Sequence, residues 1–357
     1  MFRFRDEATA KKVIESIAKY HLKVRFMHVC GTHQDTLVRF GIEDMLRASG
    51  VTIGQGPGCP VCVTTTKEIV ECMTLAEHGV TIAVFGDMMA VPTPIGSLAE
   101  AKARGADVRV VYSIEDAVRL SAEVKQLTFM AIGFETTSPT TASVMLNPLP
   151  NNFSVLSCHR ILPPALDAIF NLGEMRIDGL IQPGHVATIL GIHPFERFSR
   201  DMKIPQVIAG FEPLDLLVAV YMMVRQIAEG RHEVENEYTR VVKPEGNPIA
   251  LRMLEEVFEP VDRNWRGFPV IPLSAYELRK QYDMHNARVL YHDVLKSAPQ
   301  VKEEMGGCRC GEVLRGIITS QECPVFDKGC SPKRPMGPCM VSREGSCNIA
   351  FRYSRKT

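Results

Sequence analysis

The sequence predicts an α/β fold in which two similar parallel-sheet units face one cleft, followed by a cysteine-rich C-terminal segment with little regular structure. Three observations predict it. Apolar strand-like runs alternate with amphipathic helix-like runs up to about residue 230, the pattern of parallel strands joined by helical crossovers. Strand ends recur at even spacing: Cys30, Gly58 and Gly86 are 28 residues apart, and Cys158, Gly184 and Gly210 are 26 apart. Six of the eleven cysteines fall between Cys308 and Cys347, where periodic apolar residues are sparse.

In chain order, residues 7–19 carry Ala8, Val13, Ile14 and Ile17 near helical spacing. "KVRFMHVC" reads as a strand running into the turn "CGTHQD". "TLVRFGIEDMLRAS" reads as one helix that Gly50 stops. "GVTIGQ" is a second strand and leads into "GPGCPVC". "TKEIVECMTLAEH" is helical, and "GVTIAVFGD" is a third strand. The same order returns in "NFSVLSCHR", "RIDGLIQPGHVAT" and "IPQVIAGFEP". The even spacing reads as an internal duplication, with one α/β domain over 22–125, a second over 126–230, and residues 1–21 joined with 231–357 in a third, helical and cysteine-rich domain. Past residue 231 the chain turns charged and turn-rich, and "PIALRMLEEVFEPV" is helical.

The 357 residues allow two or three domains with their own cores. Hydrophobic residues are 45% and charged residues 23%, and 41 basic residues balance 41 acidic ones. A neutral chain without a Lys/Arg cluster gives no electrostatic case for nucleic acid or an anionic membrane. The longest apolar run, "LLVAVYMMV" at 216–224, is too short to span a bilayer. The N-terminus has no apolar signal core. These features place the chain in the cytoplasm, where clustered cysteines point to metal or redox work rather than a disulfide framework.

In parallel sheets, sites form beyond the carboxyl ends of the strands. The turns found there are "CGTH", "GPGCPVC", "FGDMMAVPTP", "GFETTSP", "QPGHV" and "GFEP". Cys30 is a thiol at a strand end with His33 three residues on, a nucleophile beside a base or ligand. Cys59 and Cys62 lie on a Pro/Gly turn expected to expose its sulfurs, and the pair suits a disulfide or one soft metal ion. Glu135 and His185 are polar candidates for lining the cleft, and Gln34, Asp35 and Asp87 are weaker ones. Cys72 and Cys158 read as structural, and the methionines as core. Near the C-terminus, Cys323, Cys330, Cys339 and Cys347 are separated by six, eight and seven residues. Four thiolates suit a 4Fe–4S cluster or zinc, and the absence of tight C-x2-4-C knuckles favours the cluster. Cys308 and Cys310 in "GCRCGE" stand either as a ligand source or as buried thiols.

The motifs "CGTHQDT", "GPGCPVC", "GFETTSP", "QPGHV", "CGEVLRG" and "ECP…GC…GPCMVS.EG.C", met in this order, make the chain resemble the HypD family of hydrogenase maturation factors over nearly its whole length. Some members of that family carry a second histidine just after the Cys-Gly-Thr-His. Here Gln34 and Asp35 follow His33, so no role of a second histidine is carried over. The resemblance implies a C-terminal iron–sulfur domain and a scaffold that helps assemble the Fe(CN)2CO unit of NiFe hydrogenases. Its implied partners are a small HypC-type chaperone and a HypE-type cyanide donor. By resemblance Cys30 holds the iron jointly with a partner cysteine. Cys59 and Cys62 form a redox-active dithiol with iron contact, and Cys323, Cys330, Cys339 and Cys347 hold the 4Fe–4S cluster. The alternatives are a cluster-linked thiol–disulfide oxidoreductase acting on protein disulfides and a zinc-stabilised interaction protein.

Overall fold

The computed structural model describes residues 5–174, 176–303 and 306–354. Helix α1 (Glu7–Ala18) opens on Asp6, whose side chain accepts from Ala8 N. Strand β1 (Val24–His28) follows, then α2 (Gly31–Arg39), α3 (Ile42–Ala48), β2 (Val51–Gln55), the short α4 (Pro60–Val63) and α5 (Thr66–Glu77). Strands β3 (Thr81–Val84), β4 (Val108–Val110), β5 (Leu127–Gly133), β6 (Phe153–His159), β7 (Gly179–Pro183), β8 (Gln206–Ala209) and β9 (Val234–Asn236) complete the α/β part. The single helix expected over 36–49 is two helices, because Gly41 adopts a left-handed φ of 65° between them.

The strands form two wholly parallel sheets, one ordered β2-β1-β7-β8-β9 and the other β4-β3-β5-β6. This corrects the expectation that sheets follow the sequential halves 22–125 and 126–230. The chain begins one sheet, builds the whole of the other, and returns to finish the first. Local spacing reports that α/β units repeat, but it does not carry the nonlocal choice of neighbour. The strand β9, in a stretch that reads as charged and turn-rich, extends the first sheet at its edge.

Period-two alternation divides the core. Phe26, Ile181 and Val207 point to one face of the first sheet and pack with Leu216, Leu217 and Val220 of the helix Pro213–Ala228. That helix contains the long apolar run, and no described helix is long and apolar enough to cross a membrane. Ala83, Phe129 and Val155 pack on the outer face of the second sheet. The intervening residues Met27, Leu180, Ile208, Ile82, Met130 and Leu156 all belong to one shared core, together with Trp265, Leu314 and the C-terminal Cys330, Cys339 and Cys347. An antiparallel hairpin, β10 (Phe258–Asn264) and β11 (Val270–Leu278), follows the helix Pro248–Val257. Its first strand begins within the stretch that the sequence reads as helix, 248–261. The C-terminal segment has only short helices at Cys310–Leu314 and Pro338–Val341 before the helix Ser346–Ser354.

A buried ion network pins α5 to β6. Thr65 and Glu68 form a capping box at the start of α5. Glu68 Oε2 also accepts from Arg160 Nη2 at 2.6 Å, and both side chains are almost wholly buried. Burial alone would raise the Glu68 carboxyl, but the guanidinium of Arg160, with Arg288 behind it, holds it at about 2. Because the folded value lies below the ordinary 4.5, this contribution is complete above that pH and is lost as pH falls through about 2. Glu68→Gln leaves Arg160 buried without its carboxylate, and is expected to cost about 3–5 kcal/mol and to flatten the acid limb of stability. Chemical denaturation of wild type and variant between neutral and acid pH measures both.

Candidate thiol and cluster sites

The carboxyl ends of strands from both sheets meet at a cavity of about 430 Å³, lined by Cys30, Gly58, Phe134, Thr137, His185 and Glu344 among others. Cys30 sits between β1 and α2 as the N-cap residue. Burial pushes its thiol up to about 12, opposed by the backbone N–H groups of His33 and Thr32, while Glu344 adds to the rise. His185 follows β7 and brings Nδ1 to 3.9 Å from Cys30 Sγ. Its imidazole is pushed down to about 4 by burial and stays neutral.

His33 takes a different place from the one its spacing implies. Its ring is buried and Nε2 donates to the Gly210 carbonyl at 2.9 Å, so the histidine beside the sulfur is His185. Glu135 stands behind the cavity wall. Its Oε1 accepts from Leu162 N at 2.8 Å, Oε2 is buried without a hydrogen-bond partner, and burial raises its carboxyl to about 7. Its neighbours Phe134, Thr136 and Thr137 line the cavity instead. Of the weaker candidates, Gln34 bonds to His28, Asp35 to Arg352, and Asp87 to Ser342. Cys72 and Cys158 are fully buried within α5 and β6.

Cys59 and Cys62 are joined in a disulfide. Both are buried, which corrects the expectation of an exposed turn. The Pro60–Val63 helix folds the turn back on itself, Cys59 Sγ accepts from Cys62 N, and the C-terminal Pro338–Val341 helix packs over α4. The disulfide turn is tied directly to the Cys30 turn, since Gly31 N donates to Gly58 O at 3.3 Å.

Six cysteines, Cys308, Cys310, Cys323, Cys330, Cys339 and Cys347, line a single apolar cavity in the C-terminal segment. Among the described residues no three His, Cys, Asp or Glu side chains close on one point as a mononuclear ion requires. The sulfurs instead surround a space. Cys330 Sγ accepts from Met336 N at 3.3 Å, and a Cβ on Gly337 would stand 2.9 Å from Cys308 Sγ. Burial raises the Cys330 thiol, opposed by the Met336 backbone N–H, while Cys308 and Cys323 add to the rise. Cys310 and Cys339 are paired more tightly, with their sulfurs 3.0 Å apart. The donor type, the apolar lining, the N–H···S bond and the missing Cβ at Gly337 fit an iron–sulfur cluster.

Sequence reasoning missed Glu344 and Phe211. Glu344 lines the Cys30 cavity, and its backbone presses on Gly31, where a Cβ would lie 2.6 Å from Glu344 O. The "VSREG" motif was the available signal, but only as part of the resemblance. Phe211 from "GFEP" stacks between the rings of His33 and His185, each 5.1 Å away.

Fold and geometry define an α/β protein with a lone thiol and a disulfide held at the carboxyl ends of parallel strands, beside a segment that gathers six further cysteines. Residues 7–354 match the HypD family, described as "Hydrogenase formation hypA family". The chain is 43% identical to a putative hydrogenase expression/formation protein of Methanocaldococcus jannaschii, over 99% of this chain and 100% of the relative. It is 40% identical to the hydrogenase maturation factor HypD of Cupriavidus necator, over 99% of this chain and 96% of the relative. The HypD of Rhizobium leguminosarum is also 40% identical, over 99% of this chain and 94% of that protein. The chain belongs to the HypD family of hydrogenase maturation factors.

The contact between the two thiol turns yields a direct test. A Cβ on Gly58 would stand 2.2 Å from the Val29 carbonyl carbon, whereas one on Gly54 would meet nothing closer than 3.8 Å. Gly58→Ala is expected to destabilise by about 1–3 kcal/mol, and Gly54→Ala to stay within about 0.5 kcal/mol of wild type. Urea denaturation of the pair checks it.

Proposed function

We propose that this chain is the scaffold on which the Fe(CN)2CO unit of a NiFe hydrogenase is assembled, with Cys30 as its anchor for the iron. The iron with its diatomic ligands is the cargo, and a HypC-type chaperone supplies a second cysteine while a HypE-type partner supplies cyanide. The observation that carries this reading is the convergence of Cys30, His185 and the Gly58 turn on one cavity, with the Cys59–Cys62 disulfide directly behind. A soft thiolate suits low-spin iron(II) bearing strong-field ligands. His185 Nδ1 stands beside the sulfur as the first acceptor that the Cys30 proton meets on its way out to solvent as the S–Fe bond forms. The disulfide takes up two electrons and two protons to become two thiols, so it can serve as a two-electron store at the site. Its burial keeps protein disulfides away, which counts against the reading of a general thiol–disulfide oxidoreductase.

In the C-terminal segment, Cys323, Cys330, Cys339 and Cys347 are proposed as ligands of a resident 4Fe–4S cluster, since all four line one cavity. Cys310 lies against the Cys339 sulfur at 3.0 Å and is also hydrogen-bonded to Cys308, so Cys308 and Cys310 are assigned as accessory thiols beside the ligand set. A 4Fe–4S cluster at this position supplies single electrons. The Pro338–Val341 helix, which packs on α4, joins this cavity to the disulfide.

Cys30→Ser exchanges the thiol for a hydroxyl of similar size. The variant is expected to fold, to keep its brown cluster, and to lack the cyanide and carbonyl infrared bands when purified anaerobically with its small partner. Full bands in that variant would place the iron elsewhere. For the cluster, Cys339→Ala is expected to abolish the 4Fe–4S spectrum and Cys308→Ala to retain it. Iron counting with optical and electron paramagnetic resonance spectra reads the outcome, and the reverse result puts Cys308 in the ligand set in place of Cys339.

A further inference from the structure

The backbone N–H of Cys30 has a side chain for its acceptor, His28 Nδ1 at 3.4 Å. His28 is the last residue of β1 and is fully buried. Since Nδ1 accepts, the ring proton sits on Nε2, which donates to Gln34 Oε1 at 2.7 Å. Gln34 is oriented in turn, because its Nε2 donates to Glu43 Oε1 at 2.8 Å. The chain of bonds is directional. The Glu43 carboxylate accepts, so the Gln34 amide turns its nitrogen toward α3 and its oxygen toward His28. That choice puts the ring proton on Nε2 and leaves Nδ1 open to Cys30.

None of these three side chains lines the cavity. They come from β1, α2 and α3 and reach the cysteine turn from behind. On its other sides the turn is tied by backbone groups alone at Gly31 and by His33 and Thr36, which donate to the Gly210 and Phe211 carbonyls. The His28 chain is the side-chain restraint on the Cys30 backbone N–H. Outer partners that orient a metal ligand are worth about 10- to 100-fold in metal affinity when removed.

We propose that His28 and Gln34 are positioning residues that hold Cys30 in its iron-binding orientation through the His28–Cys30 hydrogen bond. The proposal rests on the reading of Cys30 as the iron anchor. It also gives Gln34 a role of its own: the residue that follows the Cys-Gly-Thr-His motif here orients a histidine instead of meeting the iron.

The test uses the full chain in complex with its small partner, as wild type and as His28→Leu, His28→Asn, Gln34→Leu and Cys30→Ser. The readouts are the intensity of the iron-bound cyanide and carbonyl infrared bands per protein, the cluster absorbance and the melting temperature. His28→Leu is expected to weaken iron retention about 10- to 100-fold, and Gln34→Leu to weaken it less. His28→Asn, whose Oδ1 replaces Nδ1 as acceptor, should restore most of the bands. Cluster absorbance should match wild type throughout. Full bands in His28→Leu, with bands lost in Cys30→Ser, overturn the positioning role. Loss in His28→Asn as deep as in His28→Leu overturns it too, since ring packing would then be what matters. Full bands in Cys30→Ser overturn the anchor reading instead. If His28→Leu does not fold, Gln34→Leu decides alone: reduced bands support the proposal and full bands overturn it.

Discussion

The backbone at Gly58 lies so close to the Val29–Cys30 peptide that a side chain there would overlap the Val29 carbonyl. That approach follows from strand pairing. β1 and β2 run parallel in a register that sets His28 opposite Gln55, so the chain leaves both strands at the same level and the two turns emerge side by side. The Gly31–Gly58 hydrogen bond then locks them. A lone thiol and a disulfide from separate strands are thereby brought to one place by backbone geometry, with glycine as the residue that permits it. The rest of the site is arranged around this pair: β7 brings His185, β8 brings Phe211, and the second sheet brings Phe134 and Thr137.

The C-terminal segment is clamped onto the same ends of the strands. Asp35 on α2 pairs with Arg352 at 3.0 Å, Ser342 donates to Asp87, and Ser346 donates to Gln55 at the end of β2. Glu344 is pressed against Gly31. These contacts come from both sheets, so the cysteine-lined cavity is held in a fixed relation to the disulfide and to Cys30. The segment has little helix or strand of its own. It draws its order from the shared core, where Cys330, Cys339 and Cys347 pack with Leu314 and Trp265, and the six thiols gathered there line its apolar cavity.

Much of this was legible in the sequence because strand-end turns and cysteine spacing are local signals. The strands at Val24–His28, Val51–Gln55 and Gln206–Ala209 and the helix at Thr66–Glu77 fall where apolar periodicity puts them. What escaped was nonlocal. Which sheet β3 joins depends on partners hundreds of atoms away along the chain, so equal spacing led to sequential halves. The burial of Cys59 and Cys62 depends on the Pro338–Val341 helix packing over them from the far end of the sequence. The start of β10 reads as the tail of a helix because "VFEPV" continues an apolar pattern. Glu344 could not be separated from a motif of cysteines and glycines until the fold set it beside Gly31. His28 reads as an ordinary strand residue, since only the turn that follows β1 shows what its ring holds.

The electrostatics of the cleft bear on the proposed cargo. Burial holds His28 and His185 near 4 and His33 well below its ordinary range, so all three rings are neutral at pH 7. The Cys30 thiol is pushed up to about 12 and is neutral as well. A bare iron(II) ion would carry two charges into this largely buried setting, where Glu344 brings the one carboxyl among the lining residues, and that is costly. Iron(II) with two cyanides and a carbonyl carries none. Only the thiolate formed at Cys30 then needs support, and it has the N–H groups of Thr32 and His33 at the start of α2. On the proposed reading, each cyanide that reaches the iron lowers the cost of holding it in the cleft, so the same burial that disfavours free iron favours the finished unit.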